Sequence, residues 1–386
     1  MTGDGDEGED KIEKSARLSS KSAWEIAEFY AADFRKSFAL LNCLEPYLWA
    51  KATDHIPDQI ALIEKLDKKG FLYRTSDGMY FDTSLIKNYG ALARLNIEGQ
   101  KEGARVVKNS QKKNPTDFAV WKFSPKNEKR QMEWESPWGL GFPGWHIECS
   151  AMSMKYLGAT LDIHSGGIDH IPVHHCNEIA QSEAASGKPF VHYWLHNDFV
   201  MVNDGKMAKS LGNTYTLDDL QDKGFSALSY RFFCLGTHYR SKLNFTWEAI
   251  ESSQIGFEKL KNKFLDLGQQ NGEVNAEFLE KFSSAVNDDL NTSQALAIAW
   301  DVLKSDLNDF DKRATLLKFD EVLGLGLDKL NKLEIVIPED IKALAAERWR
   351  AKQDKRFDKS DEIRKLISKM GYEVEDEATG YTIKQR

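Results

Sequence analysis

The sequence predicts an α/β chain in which half of a parallel sheet carries a mixed α/β insert, followed by all-α domains and a small C-terminal domain. Three observations predict it. Helical and strand patterns alternate between His146 and Val202, a helix and a hairpin precede them, and helical periodicity dominates beyond Phe225. At 386 residues with 41% hydrophobic positions and ten Trp, the chain has room for about two to three domains and can bury several cores.

Residues 21–42 carry Trp24, Ala27, Phe34, Phe38 and Leu41 at helical spacing, which predicts an amphipathic helix with a structural role. A second helix is expected from Pro57 to Gly70, because proline suits the first turn and glycine the stop. FLYRTSDGMYFD then reads as a hairpin turning at Asp77 and Gly78. The string SPWGLGFPG (136–144) packs three glycines and two prolines into nine residues and is expected to be a loop. After it come a helix from His146 to Leu157, a strand from Thr160 to His164, a helix from His174 to Ala185 and a strand from Tyr193 to Val202. Polar breaks at 266–275 and 336–340 mark further boundaries. The expected layout is therefore 1–42, 43–134 (insert), 135–222, 223–270, 271–335 and 336–386.

A formal net charge of −8 argues against a surface built throughout for nucleic acid, although it leaves local patches open. No apolar run approaches the length of a membrane span, and the start MTGDGDEGED holds five acids where a signal peptide needs a basic end. A cytoplasmic location without a membrane partner is expected. Four scattered cysteines exclude a disulfide framework, so each is a free thiol or a metal ligand.

Seven of the nine histidines lie between His146 and His196, the stretch that also holds Cys149 and Cys176. His174 and Glu178 stand four apart on a helix and share a face; with Cys149 they offer ligand types that zinc accepts. The alternative is a packing cysteine beside an ordinary helix pair. Cys176 falls about 200° round the helix from His174 and reads as packing. In KMAKS (206–210), Lys206 and Lys209 can close on a triphosphate, or simply be solvated.

SPWGLGFPGWHIECSAM, DIHSGGIDHIPVHHCNEIAQSEA and WLHNDFVMVNDGKMAKSLGN, in this order, closely resemble class I cysteinyl-tRNA synthetases. NPTDFAVWK (114–122), HYRSKLNF (238–245), NDDLNT (287–292) and FDKSDEIRKLISKMGYEVED (357–376) extend the resemblance along nearly the whole chain. It implies the second half of a class I synthetase Rossmann-type catalytic domain, and a cysteine–tRNA ligase that joins L-cysteine to tRNA(Cys) using ATP with Mg2+. It further implies a Zn2+ held by Cys149, His174 and Glu178 that takes the substrate sulfur, where a hydroxyl would bind poorly. Trp145 and His164 match the amino-acid pocket, Gly167, Asp169 and Met207 the ATP site, and Lys206 and Lys209 the KMSKS lysines. Cys176 stands where the family often has Glu.

The resemblance also implies that the first half of the nucleotide-binding fold, with the HIGH motif and a fourth zinc ligand, is missing. Activity alone is then expected to be impaired, and a sheet edge exposed. A separate N-terminal segment is a candidate partner, and a monomer is expected. Residues 341–370 hold ten Lys/Arg against five acids, a basic face suited to tRNA phosphates or a helix laced with ion pairs. The alternatives are a non-catalytic tRNA-binding relative and a mycothiol-type cysteine ligase, which would not need that C-terminal end.

Overall fold

The computed structural model describes residues 12, 15, 16, 18, 20–94, 110–125, 130–208, 211–330, 338–377 and 380–385. The chain forms two compact units, Met1–Asp328 and Lys329–Arg386. Among the described residues no helix is long and apolar enough to cross a membrane.

The first long helix, α1 (Ala23–Leu40), starts where Ser22 and Glu25 form a capping box. Its buried residues are Ala23 and Ile26, whereas Trp24 and Phe34 of the expected apolar face lie exposed. Helix α2 (Ile56–Lys68) has proline in its first turn as expected, and strands β1 (Leu72–Arg74) and β2 (Gly78–Phe81) form the hairpin. β3 (Phe118–Phe123) and β4 (Gly141–Pro143) extend it to a four-stranded antiparallel sheet. The glycine-rich loop thus contains an edge strand. Pro143 is tolerated there because an edge position does not need its missing N–H. Gly141 is required because a Cβ would lie 2.0 Å from the Lys122 carbonyl oxygen.

Helix α3 (Trp145–Leu157), strand β5 (Leu161–Gly167), helix α4 (Cys176–Ser186) and strand β6 (Val191–Asn197) make a β–helix–β unit with β5 and β6 parallel. Two expectations shift here. A π-helical turn, Ile171–His175, precedes α4, and the strand expected to reach Val202 breaks after Asn197. β7 (Val200–Val202) belongs to another sheet, between β8 (Gly205–Lys206) and β9 (Leu243–Phe245). Asn203 and Asp204, both at positive φ, make the tight β7–β8 turn.

One core joins the insert to this half. Leu66 of α2, Phe81, Val120 and Trp121 of the antiparallel sheet, Ile147 of α3 and Ala180 of α4 are buried in a single cluster. It crosses residue 134, where the sequence suggested a boundary. Helices α5 (Leu217–Asp222), α6 (Ala227–Leu235) and α7 (Trp247–Asp266) follow, then α8 (Ala276–Asn287), α9 (Thr292–Lys304) and α10 (Asp309–Leu323). Phe282 and Phe319 stack at 4.0 Å in the last group.

The second unit is α11 (Glu339–Gln353), α12 (Phe357–Lys369) and the hairpin β10 (Tyr372–Glu377) and β11 (Gly380–Gln385), around Ile341, Ala345, Ile367 and Val374. Its basic residues do not form one face. Arg348 is buried and pairs with Asp376, as does Lys352, while Lys359 pairs with Glu347 and Arg356 with Asp354. Arg350, Lys355, Lys365 and Lys369 stay exposed.

Candidate active site

Helices α3 and α4 lie side by side and are stitched together by polar bonds. Gln181 Nε2 donates to the His146 carbonyl at 2.6 Å and to Ser150 Oγ at 2.7 Å, and Ser182 Oγ donates to Ser150 Oγ at 2.8 Å. This fixes Cys149 on α3 against His174 and Glu178. The ligand atoms of the three all lie within 4.8 Å of one another.

Glu178 is fully buried, and its two oxygens have different fates. Oε2 accepts from His164 Nε2 at 2.9 Å, whereas Oε1 has no hydrogen-bond partner among the described residues and lies 3.7 Å from His174 Nε2. A buried carboxylate oxygen without a partner is costly. A cation between Oε1, His174 Nε2 and Cys149 Sγ would satisfy it, and a thiol, an imidazole and a carboxylate form a donor set zinc accepts. The residues present therefore fit the metal. His164, His175 and Glu178 form a second close group, but it uses the oxygen already bonded to His164.

Burial dominates the electrostatics. It pushes the Glu178 carboxyl up against the opposing bond from His164. It also pushes up the Cys149 thiol, with the carboxylates of Glu178 and Glu148 adding to the effect. His146, His174 and His175 are driven down to about 3, first by burial and then by their histidine neighbours. The imidazoles are thus neutral at pH 7, the form that offers a lone pair to a metal.

The sequence-selected residues divide clearly. Trp145 packs on His174 with ring centroids 4.6 Å apart, while His164 sits beside Trp194 and is bonded to Glu178. Gly167 and Asp169 stand together at the carboxyl end of β5, the Asp169 carboxylate lying where a Cβ on Gly167 would be. Lys206 is exposed on β8; Met207 packs partly against the Val202–Phe245 core; Lys209 lies outside the described residues. Cys176 is in the main core, its thiol donating to the Ile171 carbonyl. His55 is buried and bonded to Tyr156.

Sequence reasoning missed several supporting groups. His146 Nδ1 and His174 Nδ1 share a hydrogen bond at 3.0 Å, and His175 Nδ1 bonds His196 Nε2 at 2.8 Å. His146 is three residues before Cys149 and so comes round to its side of the helix, a signal that was available. Gly166 is needed because a Cβ there would lie 2.7 Å from the His175 ring. Asn213 clasps the lysine loop, accepting from the Ala208 amide and donating to the Lys206 carbonyl.

Comparisons with known proteins give the family. Residues 6–255 match the family described as tRNA synthetases class I (C) catalytic domain. A cysteine–tRNA ligase 1 of Burkholderia lata is 49% identical over 98% of this chain and 81% of its own length. A cysteine–tRNA ligase of Treponema denticola is 44% identical over 100% of this chain and 85% of its own. Among solved structures, Mycobacterium tuberculosis methionyl-tRNA synthetase in complex with methionyl-adenylate superposes with a TM-score of 0.52 at 14% identity, covering 82% of this chain and 80% of that one. That likeness concerns the fold, which is of the class I synthetase type. With relatives of this identity along nearly its whole length, the chain belongs to the cysteine–tRNA ligase family of class I aminoacyl-tRNA synthetases.

Proposed function

We propose that the chain activates L-cysteine with ATP and transfers it to tRNA(Cys). A carboxylate oxygen of cysteine attacks the α-phosphorus of ATP, pyrophosphate leaves, and the terminal ribose hydroxyl of tRNA then attacks the adenylate carbonyl and releases AMP. The observation that carries this reading is the partnerless Glu178 Oε1 facing His174 Nε2 beside Cys149, within a chain of this family.

Cys149, His174 and Glu178 would hold Zn2+. Bound there, zinc supplies a soft centre that favours a thiolate over the hydroxyl of serine. His164 orients Glu178 through its 2.9 Å bond, and Trp145 walls the same space against His174. Gly167 and Asp169, at the carboxyl end of a parallel strand, occupy the position where open α/β sheets receive their ligands, so the adenosine is assigned there, with Met207 at its edge. Lys206 and Lys209 neutralise charge on the phosphates of Mg2+-bound ATP, Lys209 being assigned the transition state. Arg350, Lys355, Lys365 and Lys369 are the exposed cations available to tRNA phosphates.

The layout that follows assigns 43–134 to an insert, 135–222 to the catalytic half, 223–270 to stem contact, 271–335 to a helical bundle and 336–386 to anticodon binding. We assign the enzyme to the cytoplasm as a monomer. A further polypeptide segment is the expected cover for β5 and β6: among the described residues neither strand has another neighbour, Ile163 and Tyr193 are largely exposed, and a parallel pair is normally enclosed. The test is cysteine-dependent ATP–pyrophosphate exchange and tRNA charging by the 386-residue chain, with and without the N-terminal segment of a relative. Exchange that Lys209→Ala lowers by about 100- to 1,000-fold supports the reading. No exchange under either condition refutes it and leaves tRNA binding without catalysis.

A further inference from the structure

Two motifs, His238–Phe245 and Asn287–Thr292, supply none of the residues assigned above to cysteine activation, yet the fold brings them to one point. Asp289 sits in the corner between α8 and α9. Its carboxylate accepts Arg240 Nε at 2.5 Å, Arg240 Nη2 at 3.0 Å and the Tyr239 hydroxyl at 2.6 Å, and His238 Nε2 lies 3.9 Å away. Three consecutive side chains of one loop thus converge on a single acid.

The corner is strained to present it. Asp289 and Leu290 have φ of 52° and 58°, two adjacent left-handed residues of which neither is glycine. Such a conformation persists only where the surroundings over-determine it. The Leu290 side chain is exposed, so its own packing does not account for the strain. Backbone bonds from Leu290 to Val286 and from Asn291 to Ala285 close the corner, and Asn291 caps α9.

The other end of the loop is tied to the sheet. The Tyr239 carbonyl accepts the Asp198 amide at 2.9 Å, the Leu243 amide donates to Phe199, and β9 runs on beside β7. Asp198 directly follows β6, the strand that carries His196 and through it His175 beside Glu178. A continuous set of bonds therefore links the bundle corner to the strand end beneath the candidate site. Arg240 and Asp289 are about half exposed, and pairs of that kind add little to global stability. Convergence and strain point to placement instead.

We propose that Asp289, gripped by Tyr239 and Arg240, is a positioning residue that fixes the α8–α10 bundle against the end of β6 so that tRNA is presented to the aminoacyl site. ATP and cysteine are small, and the groups assigned to them lie on α3, α4, the end of β5 and the lysine loop, none of them in the α8–α10 bundle. A polynucleotide lying across bundle and site registers their separation. This rests on the cysteine–tRNA ligase reading.

Asp289→Asn and Tyr239→Phe test it in the full chain, supplemented with whatever segment the wild type needs for exchange. Cysteine-dependent pyrophosphate exchange is expected to stay within about twofold of wild type, while single-turnover transfer from preformed adenylate to tRNA falls about 10- to 100-fold. Equal losses in both steps, or none in either, overturn the proposal. Wild type without exchange refutes the ligase reading instead, and amide hydrogen exchange then judges the clasp. Faster exchange at Asp198 and Asn291 in Asp289→Asn supports it, and unchanged protection at both overturns it.

Discussion

Glu178 Oε1 lies 3.7 Å from His174 Nε2, fully buried, with no hydrogen-bond partner among the described residues. Evidently the fold places an acceptor where only a cation or a proton can satisfy it. Zinc at 100 times its dissociation constant is therefore expected to stabilise the wild type by about 2.7 kcal/mol, and Glu178→Gln by far less. Urea unfolding with and without zinc checks this. Equal stabilisation of both proteins would separate Glu178 from the metal.

His164 comes from β5 and reaches the other oxygen of the same carboxylate. Partners that orient a ligand carry a measurable share of metal affinity, so His164→Phe is expected to weaken zinc binding about 10- to 100-fold. Competition with a chromophoric chelator reads the affinity directly, and an unaltered value would mean that the bond does not support the ligand set.

Phe81 is fully buried in the core shared by the insert and α3, stacked on Phe71 and Phe118. Phe118 in turn meets the His146 ring edge-on. Phe81→Ala should cost about 3–5 kcal/mol of stability by urea denaturation, and zinc affinity should fall with it. A cost below about 1 kcal/mol would show that the insert does not share the site's core.

In the second unit, Arg348 bonds Asp376 at 2.6 and 2.8 Å while itself buried. The guanidinium, helped by Lys352, holds the Asp376 carboxyl well below the usual carboxylate range, so the pair contributes fully above the unfolded value of about 4 and is lost as pH falls through the folded one. Asp376→Asn should destabilise the unit by about 1–3 kcal/mol at pH 7, discounted for the partial exposure of Asp376. The gap to wild type should close below about pH 4. Amide exchange in α11 and α12 measures it, and a gap constant down to pH 2 would contradict the assignment.

What could be read in the sequence was what depends on local pattern. The helix beginning near Pro57, the hairpin at Asp77–Gly78 and the strand–helix alternation around the histidines follow from spacing and turn chemistry, and the structure has them. What depends on long-range packing was hidden. Nothing in the local pattern shows that Trp24 and Phe34 face outward while Ala23 and Ile26 face in. Nor does it show that Gly141–Pro143 pairs with β3, or that Arg348 is buried against a strand twenty-eight residues away rather than lying on a basic face. The π-helical turn at Ile171–His175 was equally illegible, although it sets the direction in which His174 and His175 point. For the candidate site, the sequence offered candidate ligand types; the fold adds which oxygen of Glu178 is left without a partner among the described residues.

The most direct test of the account is the visible absorption of the chain with cobalt(II) in place of zinc. Cys149 as a ligand predicts a thiolate-to-metal band that Cys149→Ser removes, and a substrate sulfur at the same metal predicts that L-cysteine intensifies the band while L-serine does not. A spectrum unchanged by Cys149→Ser, or one that responds alike to cysteine and serine, would contradict the central claim.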